Sequence, residues 1–313
     1  MRVLVMGAGA IGSAVGGFMS LAGHDVVLIG RESHMSAIAR DGLRITGIWG
    51  EHRACRLQVC TQVVDVPYSH FDWVFITVKS YDTASAARTI LPVVAPDTLV
   101  CSYQNGLGNA ETIAGVFGWS RTVGARAIYG VRVCEPGWIE ITVIAQPTAL
   151  GVYSADAPVE RVRAMAQTMN DAGIPTVYTE EIATVLWAKV AYNCALNPLS
   201  ALLDVPYGKL LEAEDTRVMM GEIVRELYAT AAARHVVLKP STAEEYIHHL
   251  FEDLIPPTAA HYASMREDFK LGRRTEIDAL NGAIARMGAE SGVACPTNAL
   301  LTRLVHAWEL LHR

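Results

Sequence analysis

A lysine, two asparagines and a serine recur along one apolar run, Val185 to Leu203, as Lys189, Asn193, Asn197 and Ser200. At about 100° per residue, Asn193 lies about 40°, Asn197 about 80° and Ser200 about 20° from Lys189 around a helix axis, so the four share one face. A solvated face would carry several glutamates and arginines. This thinner set, specific in its hydrogen bonding, reads as lining for a ligand, the alternative being a polar contact between helices. A lysine ammonium there suits two tasks: holding a carboxylate, or handing a proton to the alkoxide that develops when hydride reaches a ketone carbon. Pro198 has no N–H to give, so it should bend or interrupt the helix and free a carbonyl.

A second constellation opens the chain. Gly7-Ala8-Gly9-Ala10-Ile11-Gly12 follows the strand-like Arg2 to Met6 and precedes the small-residue helix Ser13 to Ala22. In that context the first glycine allows a tight turn, the second lets backbone approach a pyrophosphate, and the third lets helix and strand pack closely. A dinucleotide site is therefore expected, with Gly7, Ala8, Gly9, Ala10, Ile11 and Gly12 as its phosphate turn. At the end of the next strand stand Gly30-Arg31-Glu32. A planar, permanently charged guanidinium at Arg31 suits the 2′-phosphate of NADP; the competing reading is that Glu32 accepts the ribose hydroxyl of NAD. Lys79 and Asn105 each begin a loop just after a β-like run, where an open α/β sheet places ligands. On spacing alone they read equally well as a strand-end charge and a turn-former.

The elements behind these residues divide the chain in two. Strand-like runs at His24 to Ile29, Trp73 to Val78, Thr98 to Ser102 and Thr122 to Ala127 alternate with short helical stretches at Asp82 to Leu91 and Asn109 to Val116, which predicts a mostly parallel sheet. Glu135-Pro136-Gly137 then separates two β-prone runs within Val131 to Ile144, in the manner of an antiparallel hairpin. From about Glu180 the strand signals fade. Segments Glu180 to Leu202, Ala213 to Arg234, Thr242 to Leu254, Thr258 to Glu290 and Asn298 to His312 read as helices. The fold class is α/β, with a Rossmann-type, mostly parallel sheet over residues 1–179 and an all-helical part over 180–313, the ligand site lying in a cleft between them.

Composition narrows the function classes. The 313 residues are 51% hydrophobic and carry 26 basic against 32 acidic side chains, a formal net charge of −6. That balance argues against nucleic acid or an anionic membrane as the main partner, and no run of about 20 apolar residues is present to span a bilayer. The six cysteines form no C-x-x-C pair, so reduced thiols, a cytoplasmic setting and no metal site are expected. The apolar helical surface is compatible with a homodimer.

Taken together, the Gly7 to Gly12 turn, Lys79 in Thr77-Val78-Lys79-Ser80, Asn105 in Gln104-Asn105-Gly106-Leu107-Gly108, the helix from Lys189 to Leu199, and Arg274-Thr275-Glu276-Ile277-Asp278 resemble the ketopantoate reductase family along essentially the whole chain. The resemblance implies NADPH-dependent reduction of 2-dehydropantoate to (R)-pantoate, a step toward pantothenate and coenzyme A. It implies Lys189 as proton donor and Glu276 as the acidic residue beside nicotinamide and the reacting centre. Asn193, Asn197 and Ser264 fall where the family binds substrate, Asn105 where it meets both nicotinamide and substrate, and Lys79 and Gly130 where it holds cofactor. Without the resemblance, Glu276 among Arg273, Arg274 and Asp278 would read as a solvated charged face, and Ser264 would lie about 120° from it on one straight helix. One departure concerns Tyr207, which stands where some members carry a substrate-contacting asparagine. A phenol there should alter the pocket's volume and polar contacts, leaving another branched 2-oxo acid as the alternative substrate. A non-catalytic NADP sensor would be marked by loss of Lys189 or Glu276, and both are present.

Overall fold

The computed structural model describes residues 1–312, which form two compact units. The first comprises Met1–Gln104 and Asn109–Ile182; the second comprises the described residues from Ala183 onward together with the tetrapeptide Asn105–Gly108.

The first unit is built on one ten-stranded sheet. Its strands are β1 Arg2–Met6, β2 Asp25–Ile29, β3 Leu43–Gly47, β4 His52–Ala54, β5 Gln58–Cys60, β6 Trp73–Ile76, β7 Leu99–Ser102, β8 Thr122–Glu135, β9 Trp138–Val152 and β10 Thr176–Tyr178. The order is β4-β3-β9-β8-β7-β6-β1-β2-β5, with β10 added on β9. From β5 to β8 every pairing is parallel. The cause is visible in the strands: Val-Leu-Val in β1 and Trp-Val-Phe-Ile in β6 are buried on both faces, as a covered parallel sheet requires. Five helices supply the cover: α1 Ala10–Leu21, α2 Glu32–Asp41, α3 Thr83–Thr89, α4 Asn109–Phe117 and α5 Val159–Asp171.

The expected change of direction at Glu135-Pro136-Gly137 is observed, because β8 and β9 pair antiparallel. The arms are longer than the local pattern predicts, 14 and 15 residues, and the parallel Thr122 to Ala127 run continues directly into the hairpin. Register shifts at four points bend this long ribbon. Strands β3, β4 and β5 and helices α2 and α5 are additions to the expected pattern.

The second unit is helical. It contains α6 Ile182–Leu203, whose first residue groups with the sheet unit, α7 Tyr207–Leu210, α8 Glu214–Ala233, α9 Ala243–His249, α10 Ser264–Lys270, α11 Asn281–Glu290 and α12 Pro296–Leu311. Its core joins Val190, Cys194 and Leu196 of α6 to Ile223 and Leu227 of α8 and Ile284 of α11.

Two expectations are corrected here. Pro198 does not interrupt α6, which is continuous to Leu203. The carbonyl that loses its partner, on Cys194 four residues earlier, instead accepts the buried Asn281 side-chain amide at 3.1 Å. Asn281 in turn donates to Asn298, which is held by Glu226 of α8. The stretch from Thr258 to Glu290 is not one helix. It breaks at Gly272 into α10, a loop, a single 3₁₀ turn Ile277–Ala279 and α11. Among the described residues, no helix is long and apolar enough to cross a membrane.

Candidate active site

In the sheet unit, β1 is flanked by β2 on one side and β6 on the other, so the strand order reverses there and a crevice opens beyond the strands' carboxyl ends. Gly7 sits in that crevice with φ of +108°, and a Cβ on it would lie 2.6 Å from the Val78 backbone nitrogen. Only glycine lets the two loops approach so closely. The Thr77 hydroxyl ties them together by donating to the Gly7 carbonyl at 2.8 Å. Lys79, next in the chain, is thereby set beside the glycine turn and is half-buried.

The turn itself fits a dinucleotide pyrophosphate. Gly9 caps α1 without any side-chain cap, so the first amides of that helix have no partner within it. A Cβ added at Gly9 would meet nothing closer than 3.9 Å, which leaves room for a phosphate. Gly12 plays a different part, because a Cβ there would lie 2.6 Å from the Gly7 carbonyl and from the Thr77 hydroxyl. Arg31 is the exposed residue preceding α2. Glu32 has its carboxylate engaged by the Ser36 hydroxyl at 2.7 Å, one helical turn on. Gly130 lies mid-way along β8 opposite Val143, where its missing side chain makes room for Thr142.

In the helical unit, a cavity is lined by Asn105, Asn193, Asn197, Ser264, Met265, Asp268, Glu276 and Leu280. Five of the residues singled out in the sequence therefore meet at one place. Lys189 reaches it through Asn105, whose side-chain oxygen accepts from the lysine amine at 2.7 Å. Asn105 is placed by its neighbours: Gly106, with φ of +86°, presses so close on Ala279 that a Cβ would collide with it, and the Leu107 amide donates to the Ala279 carbonyl at 2.8 Å. Glu276 closes the 3₁₀ turn that ends at Ala279, whose amide donates to the Glu276 carbonyl. The residue before it, Thr275, is anchored by its amide to the buried carboxylate of Glu309 at 2.7 Å. Because the chain reverses at Gly272, Ser264 and Glu276 face one cavity, although a single helix would have separated them.

Ser200 does not join them. It is fully buried, donating to the Val205 carbonyl and accepting from the Ala263 amide, so it closes the C-terminal turn of α6. Tyr207 is not a wall of the cavity either. It lies behind Asn197 and donates to its side-chain oxygen at 2.8 Å. Asp268 was not among the expected residues. It is a buried carboxylate four residues after Ser264, so an i, i+4 test on that helix would have found it.

A phosphate-binding turn on a parallel sheet, and a lysine amine with amides, a hydroxyl and carboxylates around a small cavity, are the parts of a nicotinamide-dependent reductase of small oxo acids. Residues 3–155 match the ketopantoate reductase PanE/ApbA domain, and residues 181–309 match its C-terminal domain. The chain belongs to the ketopantoate reductase family. It is 40% identical to the 2-dehydropantoate 2-reductase of Aquifex aeolicus, over 100% of this chain and 98% of that one. Identity with the enzyme of that name from Pyrococcus horikoshii is 35%, over 99% and 98%. Among solved structures, a PanE/ApbA family ketopantoate reductase from Ralstonia eutropha superposes with a TM-score of 0.88 at 31% identity, covering 100% and 99%. D-mandelate dehydrogenase in complex with NADH and anilino(oxo)acetate superposes with 0.87 at 26% identity, covering 99% of each chain.

Proposed function

We propose that this protein reduces 2-dehydropantoate to (R)-pantoate with NADPH, residues 1–179 binding the dinucleotide and 180–313 the oxo acid. The observation that carries this reading is the Lys189 amine held on Asn105 at 2.7 Å, at the edge of a cavity that also presents Asn193, Asn197, Ser264 and Glu276. Bound NADPH supplies hydride to the ketone carbon. The phosphate turn Gly7 to Gly12, Lys79 and Arg31 hold it, Arg31 being available to a 2′-phosphate while Glu32 is engaged by Ser36.

Lys189 gives its proton to the ketone oxygen as negative charge builds there, and regains one from solvent after the alcohol leaves. Asn105 fixes the direction of the amine, so the proton is aimed before the substrate arrives. Asn193, Asn197 and Ser264 supply hydrogen bonds to the substrate's carboxylate and hydroxyl. Glu276, set on a turn anchored through Thr275 to Glu309, orients the reacting carbonyl. The test is steady-state NADPH oxidation by the purified protein with 2-dehydropantoate, beside NADH. Turnover with a strong preference for NADPH is expected; absence of turnover would sink the assignment.

A second reading keeps the chemistry and changes the oxo acid. It is favoured by the likeness to D-mandelate dehydrogenase and by Tyr207 behind the cavity wall. A panel of branched and aromatic 2-oxo acids separates the two by kcat/KM.

A further inference from the structure

Asn197 is a residue with two chemically opposite ends, a carbonyl that accepts and an amino group that donates, and its orientation decides what the cavity offers a ligand. It is 5% exposed, and its oxygen accepts the Tyr207 hydroxyl at 2.8 Å. Tyr207 is itself only 3% exposed, and burial raises its pKa, so the phenol stays protonated. A flipped Asn197 would strand that buried proton without an acceptor, at a cost of about 1–3 kcal/mol.

The phenol is held rigidly. The Tyr207 amide donates to the His261 carbonyl at 2.9 Å, and the next amide, on Gly208, donates to Ala259 at the same distance. The ring packs edge-on against Tyr192, centroids 5.8 Å apart, and lies tilted against His261 at 5.4 Å. The approach is set at the end of α6, where Asp204 adopts φ of +54°, the Val205 amide returns to the Ser200 carbonyl, and Arg266 pairs with Asp204. The chain thus doubles back to bring residue 207 beside residue 197, ten positions earlier.

We infer that Tyr207 is a positioning and specificity residue: it takes the Asn197 carbonyl out of play and turns the amino group into the cavity, so that this wall accepts only a hydrogen-bond acceptor. The inference rests on the oxo-acid reading above. The substrate atom there must be a carboxylate or carbonyl oxygen, or a hydroxyl oxygen whose own proton is directed elsewhere. Without the phenol, Asn197 can present either end, and part of its population opposes the substrate with a carbonyl.

The experiment is a double-mutant cycle on the full chain, with Tyr207→Phe, Asn197→Ala and the pair, measured with 2-dehydropantoate or with whichever 2-oxo acid the wild type turns over best. Wild-type turnover reports on the proposed function; the ratios among variants report on Tyr207. Tyr207→Phe is expected to raise KM about three- to ten-fold, to change kcat by less than about three-fold and to leave the Kd for NADPH unaltered, because one buried hydrogen bond contributes about 1 kcal/mol. In the Asn197→Ala background the same change should have almost no effect on KM. An equal KM penalty in both backgrounds, or an unchanged KM in the single variant, overturns the inference. Should Tyr207→Phe fail to fold, Asn197→Asp serves. It keeps an acceptor toward Tyr207 and puts an anionic oxygen into the cavity, so it should bind substrate more weakly than Asn197→Ala, and binding equal to wild type refutes the inference.

Discussion

The Lys189 amine donates to the Asn105 side-chain oxygen at 2.7 Å, although 84 residues separate them in the chain. The contact joins an apolar helix to a glycine loop, and it makes the direction of the ammonium a property of the folded unit. The proposed proton transfer depends on that direction.

On the proposed mechanism, replacing the lysine removes the proton donor while Asn193, Asn197 and Ser264 stay in place around the cavity. Lys189→Ala is expected to lower kcat by about 10²- to 10⁴-fold while its thermal unfolding stays close to that of wild type. A folded variant with near-normal kcat would remove Lys189 from the mechanism.

In the proposed function Arg31 is the residue that would distinguish the two nicotinamide cofactors. Loss of a guanidinium–phosphate pair should weaken NADPH by about 10- to 100-fold and leave NADH nearly unchanged. Fluorescence titration of Arg31→Ala with both cofactors reads this directly, and equal losses for both would count against the 2′-phosphate role.

The glycine turn separates binding from folding. Gly9→Ala adds a methyl to open space, so the variant should melt like wild type yet bind NADPH more weakly. Gly12→Ala drives a methyl to 2.6 Å from a carbonyl and a hydroxyl, and the melting temperature should fall. Reversed outcomes for the two positions would mean that the phosphates lie elsewhere.

His34 makes stability depend on pH. It is buried between the Ser13 hydroxyl and the Gly137 amide, which donates to Nδ1, and burial lowers its pKa below 6.5. The folded state therefore favours the neutral ring, and the unfolded chain binds more protons as pH drops. This contribution is complete well above pH 6.5 and is lost as pH falls from 6.5 through the depressed folded value. Urea midpoints of wild type and His34→Gln, compared between neutral and mildly acidic pH, should show a smaller acid loss in the variant.

The buried amide relay around Pro198 is a matter of stability. Asn281→Ala strands the Cys194 carbonyl and an oxygen of Asn298, and should cost about 2–4 kcal/mol in denaturant unfolding. An unaffected midpoint would show that the Pro198 break is tolerated without the relay.

What could be seen in the residues followed from periodicity. The glycine turn has one workable context, and the α6 stripe keeps its angular spacing because the helix runs unbroken past Pro198. Pro198 frees the Cys194 carbonyl as expected but does not interrupt the helix, since Asn281, 87 residues beyond Cys194, supplies the missing donor. Helices α2 and α5 are amphipathic but polar on average, and strands β3 to β5 include exposed residues instead of presenting the continuous apolar runs that mark β6 and β7. Ser264 and Glu276 could be paired only through family resemblance, because the turn at Gly272 cancels the helical arithmetic. Tyr207 was expected to crowd the pocket and instead stands behind it, since its place depends on the left-handed residue Asp204 and on backbone bonds to residues 259 and 261.

The tetrapeptide Asn105–Gly108 packs with the helical unit while lying far upstream in the chain. A gene cut after codon 182 would deliver a C-terminal fragment that carries the lysine but not its acceptor, and not the glycine wedge against Ala279. That fragment alone should therefore have its 3₁₀ turn unbraced until a fragment carrying Asn105–Gly108 is added. A cut there divides the hydrogen-bonded pair Lys189 and Asn105 between two polypeptides, so neither piece alone holds the amine in its folded direction.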